Sequence, residues 1–377
     1  MRISSLNINN FRNFKKVRLR CLGLTNVMIG QNASGKSNFI EVLRYLTLTR
    51  SYKNIPDKSL LTWGEKQAII NAKIKAVGSR FYLSFVFDKA KQASFKEIYL
   101  DQALTTATAV LGKVKTLCFS VEDLNYFLDS PCDRRKYFNI LFCLYSQKYW
   151  LALSAYQKII KHRNLILKQV ASNRLDSGEL DFWDLELVGF GAKLGWYRQF
   201  FFNQLNALLV KNRELFKEIL AKEVVVKYSS NFLPAKPAAD EDEIKVYFLA
   251  KLKKARDAEI KLKQTLVGPQ RDQIELTLAG KNLRRYGSRG ETKLAVLSLK
   301  LAELDFLAKR FKTKPILLLD DILSELDENS RQILSQVVGH QQTFITATSL
   351  DQIDSQILSQ AKIFRIDKGE VKEIRRV

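Results

Sequence analysis

Polar and apolar residues alternate through the opening stretch MRISSLNINNFRNF, with the period of two that marks a strand with one buried face. Residues 25–29 are a short apolar run that reads as a buried strand. A glycine-containing loop follows, and the pattern then turns helical over 37–47, where Phe39, Val42, Leu43 and Leu46 fall on one stripe. Segments 68–75, 81–87 and 97–100 return to strand character and predict a meander. Beyond Pro131 the apolar positions of 134–171, among them Tyr137, Leu141, Leu144, Tyr156, Ile159, Ile160, Ile166 and Val170, follow a helical period. Further helices are expected over 182–221 and, past a loop carrying Pro234 and Pro237, over 241–266, with a strand at 224–228 between them. The last third alternates: strand 274–278, helix 290–311, buried strand 316–319, and strands 344–347 and 363–366.

Buried strands alternating with helices indicate a largely parallel sheet with helical cover. The expected fold class is therefore α/β, with one domain built from both ends of the chain, residues 1–130 and 267–377, and a mostly helical lobe inserted over 131–266. At 377 residues the chain has the length for this.

Charge adds a direction. Sixty-two Lys and Arg against 39 Asp and Glu leave a net charge of +23, a bias towards a polyanionic partner. No acidic residue precedes Glu41, and residues 134–175 hold nine Lys and Arg with no acid. Lys158, Lys161, His162 and Arg163 lie close enough on the helical repeat for several to face one phosphate backbone, so DNA is the expected partner. No apolar run reaches the roughly 18 residues that cross a bilayer. The four cysteines, Cys21, Cys118, Cys132 and Cys143, form no C-x-x-C pair, and a cytoplasmic setting is expected.

The strand–loop–helix at 25–47 carries Gly30, Gln31, Asn32, Ala33, Ser34, Gly35, Lys36 and Ser37, which match G-x-x-x-x-G-K-[ST]. Glycines let consecutive N–H groups turn towards a β-phosphate, the helix start adds its positive dipole end, Lys36 reaches the β- and γ-phosphates, and Ser37 can ligate Mg²⁺. The run PILLLDD ends a buried strand in Asp320, suited to Mg²⁺, and Asp321, suited to polarising an attacking water. Ser288, Arg289 and Gly290 open the helix before that strand, with Ser288 as its cap, and S-E-L-D follows at 324–327. This order resembles that of ABC-type ATPases. The resemblance implies an ABC ATPase head, ATP and Mg²⁺ as cofactors, and a Ser-x-Gly element that closes on the nucleotide of a second subunit, so that ATP drives a homodimer.

With NNFRNF (9–14), FSVEDL (119–124), SPCDRRKYFN (130–139), GPQRD (268–272) and LLDDILSELD (318–327) in order, the chain resembles the RecF family of bacterial recombination-repair ATPases. That resemblance implies ATP-dependent DNA binding at gapped or damaged DNA, action with RecR and RecO in the loading of RecA, weak DNA-stimulated ATP hydrolysis, and a basic side chain, Arg12, near the nucleotide. The chain departs from the family pattern at Ala33, where the family has Gly, and at Gln270, where it has His; Thr346, Ala347 and Thr348 stand where transporter ATPases carry a switch histidine. Other readings share the head: an SMC-like or defence-type ATPase, or an ATP-switched scaffold with little turnover. A transporter subunit is opposed by the charge, and a long coiled-coil arm by the short insert.

Overall fold

The computed structural model describes residues 1–20, 22–53, 55–91, 95–127, 129–215, 222–238 and 240–374. In chain order its strands are β1 (Arg2–Phe11), β2 (Phe14–Arg20), β3 (Thr25–Ile29), β4 (Gln67–Ala76), β5 (Ser79–Asp88), β6 (Lys96–Leu100), β7 (Ala103–Thr105), β8 (Thr116–Ser120), β9 (Val224–Ser229), β10 (Gln273–Leu278), β11 (Lys281–Asn282), β12 (Ile316–Asp320), β13 (Thr343–Ala347), β14 (Ala361–Asp367) and β15 (Glu370–Ile374). The longer helices are α1 (Lys36–Leu48), α2 (Pro131–Tyr145), α3 (Gln147–Val170), α4 (Glu179–Leu215), α5 (Glu241–Leu262), α6 (Arg289–Phe311) and α7 (Glu328–Val337).

Two compact units divide the chain: Met1–Asn125 with the chain from Glu303 on, and Tyr126–Leu215 with Lys222–Ala302. The first unit holds two sheets. One is the antiparallel meander β2-β1-β4-β5-β6-β7, whose alternating burial follows the alternation in the sequence. The other runs β15-β14-β3-β13-β12-β8, parallel except for β15 at its edge. α1 belongs to the core of both. Phe39, Ile40, Val42, Leu43, Tyr45 and Leu46 are fully buried, in one cluster with Ile3, Leu6 and Ile8 of the meander and Met28, Leu318 and Phe344 of the parallel sheet. A helix covered all round is apolar all round, wider than the single stripe that the sequence showed.

β8 was not among the expected strands. Its run TLCFS has polar ends, but both are satisfied inside: Thr47 and Thr116 share a hydroxyl bond of 2.9 Å, and Ser120 N–H donates to Asp123 Oδ2 at 2.8 Å.

The second unit carries α2 to α5 and the small antiparallel sheet β11-β10-β9. The helical stretch expected over 134–171 is two helices. Ser146 breaks it by capping α3, its hydroxyl accepting the N–H of Tyr149. Helix α4 starts at Glu179 and is described to Leu215, so the expected end at 216–221 lies outside the described residues. α5 ends at Leu262, not 266, because Lys263 turns left-handed (φ 56°) and its N–H returns to Ile260. β10 was expected to rejoin the α/β domain. It pairs instead with β9, Ile274 opposite Tyr228, so the units divide inside α6 after Ala302 and not at 266/267.

Arg163 is the sharpest departure. Expected on a DNA-facing surface, it is fully buried, on the same stripe as Tyr156, Ile159, Leu167 and Val170. Its guanidinium donates to Asp184 of α4 at 2.8 Å, Glu259 of α5 at 2.6 Å and the Thr265 hydroxyl at 2.8 Å. His162 stacks on Trp183, and Lys158 and Lys161 are exposed. Without Arg163, Glu259 loses its cation in a dry interior and Asp184 keeps only Arg256, at 2.6 Å. Arg163→Ala is therefore expected to cost about 3–5 kcal/mol in urea unfolding, whereas Lys158→Ala on the same helix should stay within about 0.5 kcal/mol.

Candidate functional site

The register of three parallel strands assembles the site. Ala347 lies opposite Ile29, and Asp320 opposite Thr346, so the ends of β3, β13 and β12 stand side by side. The loop after β3 turns into α1, and Asp320 and Asp321 emerge from β12 beside it. Ligands in open α/β sheets bind at this carboxyl edge of the strands.

Two glycines are needed by the loop for space. A Cβ on Gly30 would stand 2.4 Å from the carbonyl oxygen of Ile366, and one on Gly35, at φ 118°, 2.4 Å from Asn13 Nδ2. Asn13 holds the loop from outside: its Nδ2 donates to Ser34 O at 2.9 Å, and Asn38 Nδ2 donates to its Oδ1 at 2.8 Å. The sequence marked the NFRN turn only through the resemblance, and through Arg12, not Asn13. Ala33 sits at φ 64°, the left-handed region in which glycine is at home.

Lys36 is buried, and its ammonium donates to the carbonyls of Gly30 at 2.9 Å and Gln31 at 3.3 Å, with Asp321 Oδ2 at 3.6 Å. Ser37 Oγ lies 3.4 Å from Asp320 Oδ1. Thr346 joins the two acids: its hydroxyl donates to Asp320 Oδ1 at 2.9 Å and accepts the N–H of Asp321 at 2.8 Å. This gives a clear role to a position that sequence reasoning left without one. Asp321 is left-handed (φ 52°), and its Oδ1 is buried without a hydrogen-bond partner. Burial, with the charges of Asp321 and Glu122, pushes the Asp320 carboxyl up to about 6, against the Thr346 hydroxyl bond and Arg44. A cleft of about 150 Å³ is lined by Asn32, Ala33, Gly35, Lys36, Ser37, Asn38 and Asp321. That is below the roughly 300–1,000 Å³ of a site that encloses a whole small ligand. It fits a phosphate tail.

Arg12 is engaged elsewhere on the same turn. Its guanidinium forms a two-point pair with Glu41 of α1, at 3.0 and 3.2 Å, and donates to Ser59 O at 3.2 Å. Glu41 is fully buried and also accepts from Ser51 Oγ at 2.5 Å. The pair satisfies a buried carboxylate.

Ser288, Arg289 and Gly290 belong to the second unit and are exposed. Ser288 caps α6 as expected, and the cap is reciprocal: Ser288 Oγ accepts Glu291 N–H at 3.2 Å while Ser288 N–H donates to Glu291 Oε2 at 3.0 Å. Lys222, 2.6 Å away, and this N–H hold the Glu291 carboxyl down at about 2. A Cβ on Gly290 would meet nothing within 4 Å. Among the described residues there is no steric reason for a glycine in that first helical turn. Among the described residues no helix is long and apolar enough to cross a membrane.

The model of the RecF/RecN/SMC N terminal domain matches residues 2–372. The chain is 32% identical over 378 residues to the DNA replication and repair protein RecF of Agathobacter rectalis, covering 99% of each. It is 32% identical over 375 residues to RecF of Bacillus cereus, 98% of each. Among solved structures it matches the recombination mediator protein RecF–ATPrS of the RecFOR pathway with a TM-score of 0.90 and 27% identity, over 99% of this chain and 98% of that one. An SMC head bound to the C-terminal winged-helix domain of ScpA, at 15% identity and a TM-score of 0.52, shares the fold.

A left-handed alanine costs about 1–2 kcal/mol, of which glycine's freedom in the unfolded chain takes back about 0.4–1 kcal/mol. Ala33→Gly is thus expected to raise stability in urea unfolding by up to about 1 kcal/mol. A loss of about 0.4–1 kcal/mol, the entropy term alone, would show that the methyl group is accommodated without strain.

Proposed function

The chain belongs to the RecF/RecN/SMC N-terminal domain family, among its RecF members, and on that premise we propose that it is an ATP-dependent DNA-binding protein of recombinational repair and replication. ATP closes two copies into a dimer at gapped or damaged DNA in the cytoplasm, where the protein acts with RecR and RecO to help load RecA, and slow hydrolysis resets it. One observation carries the nucleotide reading: Lys36, Ser37, Asp320, Asp321 and Thr346 meet at one edge of one sheet.

The resting contacts of Lys36 suit this role. Its bonds to the Gly30 and Gln31 carbonyls are replaced by phosphate oxygens when ATP enters, so the ammonium exchanges partners and is never left bare. Gln31, Asn32, Ala33 and Gly35 offer backbone N–H groups to the phosphates, the Ser34 N–H exchanging its 3.2 Å bond to Gln31 O for one of them, with Gly30 opening the turn. Ser37 Oγ and Asp320 Oδ1 are hard oxygen donors on one side of the cleft and fit Mg²⁺, which usually takes one or two protein oxygens together with substrate phosphates. The ion, when bound, neutralises charge on the β- and γ-oxygens. Asp321, with one oxygen free of hydrogen bonds, is placed to orient the attacking water; it and Lys36 are the catalytic residues. Arg12, paired with Glu41, acts as a brace of the loop. Ser288, Arg289 and Gly290 close on the phosphates of the second copy, and the open space over Gly290 is where that phosphate approaches. DNA phosphates are tracked by exposed lysines, Lys158 and Lys161 among them, without sequence readout.

A paired measurement tests the reading. Lys36→Ala is expected to lose ATP affinity by about tenfold or more, the loss of a charge-assisted contact. Ser288→Arg should keep ATP affinity yet remain monomeric with ATP in sedimentation, and should lose the ATP-dependent gain in binding to gapped duplex. Dimers of Ser288→Arg indistinguishable from wild type would remove the composite site from the account.

A second test uses pH. The folded state holds the Asp320 proton more tightly than the unfolded chain, so this group's contribution to stability falls as pH rises from about 4 through about 6. Metal takes only the carboxylate. Mg²⁺-dependent binding of a fluorescent ATP analogue should therefore weaken as pH drops below about 6 and be constant above about 7. Asp320→Asn should be weak at every pH, with no such step.

A further inference from the structure

Helix α4 presents Gln199, Asn203 and Asn206 at spacings of four and three residues, one face of the helix. Asn206 shows what this row does. Its Oδ1 accepts the N–H of Val226 at 2.9 Å and its Nδ2 donates to the carbonyl of Val226 at 3.0 Å, so one carboxamide closes on one residue of extended backbone. β9, which contains Val226, is paired among the described residues to β10 alone, on its other side. α4 and β9 run in opposite senses, so Asn203 and then Gln199 follow the strand towards Tyr228 and Ser230. Here helix and strand part, and a cavity of about 440 Å³ opens between them, lined by all three carboxamides and by Val226, Tyr228 and Ser230. Gln199 Oε1 is buried there with no hydrogen-bond partner. An orphaned acceptor of this kind is costly unless something meets it.

From this we infer that the cavity takes an extended, uncharged peptide segment of a partner protein, inserted between α4 and the free edge of β9. Three observations fix the class of ligand. Asn206 pairs with the backbone of Val226, and Asn203 and Gln199 continue its row along the same helix face. Carboxamides three or four residues apart on a helix rise about 4.5–6 Å, near the roughly 6.8 Å between alternate residues of a strand that face one way. By the strand's period of two, Tyr228 turns its backbone to the same side as Val226. The lining carries no Lys, Arg, Asp or Glu, so nothing rewards a charged side chain. Phe202, stacked on Tyr228 with ring centroids 4.8 Å apart, and Pro234 and Pro237 form apolar walls for small or proline side chains. The site lies wholly within the second unit and does not rest on the nucleotide reading.

The test uses the full chain with ¹⁵N-labelled asparagine and glutamine side chains, and a pool of N-acetylated, C-amidated hexapeptides of Val, Thr, Ala, Ser and Pro. At millimolar peptide the carboxamide signals of Gln199 and Asn203 should shift, while that of Asn206 holds. The same pool N-methylated at alternate residues, which blocks one edge of the peptide, should bind about fivefold or more weakly, as the loss of a backbone bond requires. Asn203→Ala, an exposed change that leaves the fold intact, should weaken binding by a similar factor. No shift in the pool overturns the proposal, and so does equal binding of methylated and unmethylated peptides, which would mean that the peptide backbone makes no bonds there.

Discussion

Helix α1 is covered over most of its surface, by Ile3, Leu6 and Ile8 from the meander and by Met28, Leu318 and Phe344 from the parallel sheet, and this burial fixes where the phosphate loop begins. It also traps Glu41, a carboxylate with no route to water, which needs a cation of matching geometry. Arg12 supplies one, with two bonds, and thereby ties the turn between β1 and β2 to the helix. With that turn held, Asn13 reaches Ser34 and fills the space that the missing side chain of Gly35 leaves. One requirement, that α1 be dry, thus propagates to the backbone that faces a ligand.

The opposite wall is set by hydroxyl chemistry. Thr346 is both donor to Asp320 and acceptor from the backbone of Asp321, so two adjacent acids are oriented by a side chain that carries no charge of its own. A cation in its place would pull the Asp320 carboxyl further down than the hydroxyl does, and burial keeps it up at about 6.

Much of this was legible in the sequence. The strand–loop–helix around Gly30 and Lys36, the buried strand ending in Asp320 and the cap at Ser288 are local patterns, and the structure contains each of them. What escaped depended on contacts between distant residues. The polar ends of β8 argue against a strand until Thr47 and Asp123 are seen to satisfy them. β10 has the same apolar run whichever sheet it joins, and only its pairing with β9 decides the unit to which it belongs. For Arg163 a signal existed: it shares a helical stripe with Tyr156, Ile159, Leu167 and Val170, and a charge on an apolar stripe is a buried charge. Composition, which counted it among the surface cations, weighed more heavily than position.

The Arg163 cluster has a mechanical meaning beyond its strength. Its guanidinium sits on α3, one carboxylate on α4, another on α5, and Thr265 follows α5 in the chain. Moving any one of the three helices away takes a charged partner from a group that stays buried. Opening along these seams is therefore costly, and easier motion in the helical unit is expected away from that junction.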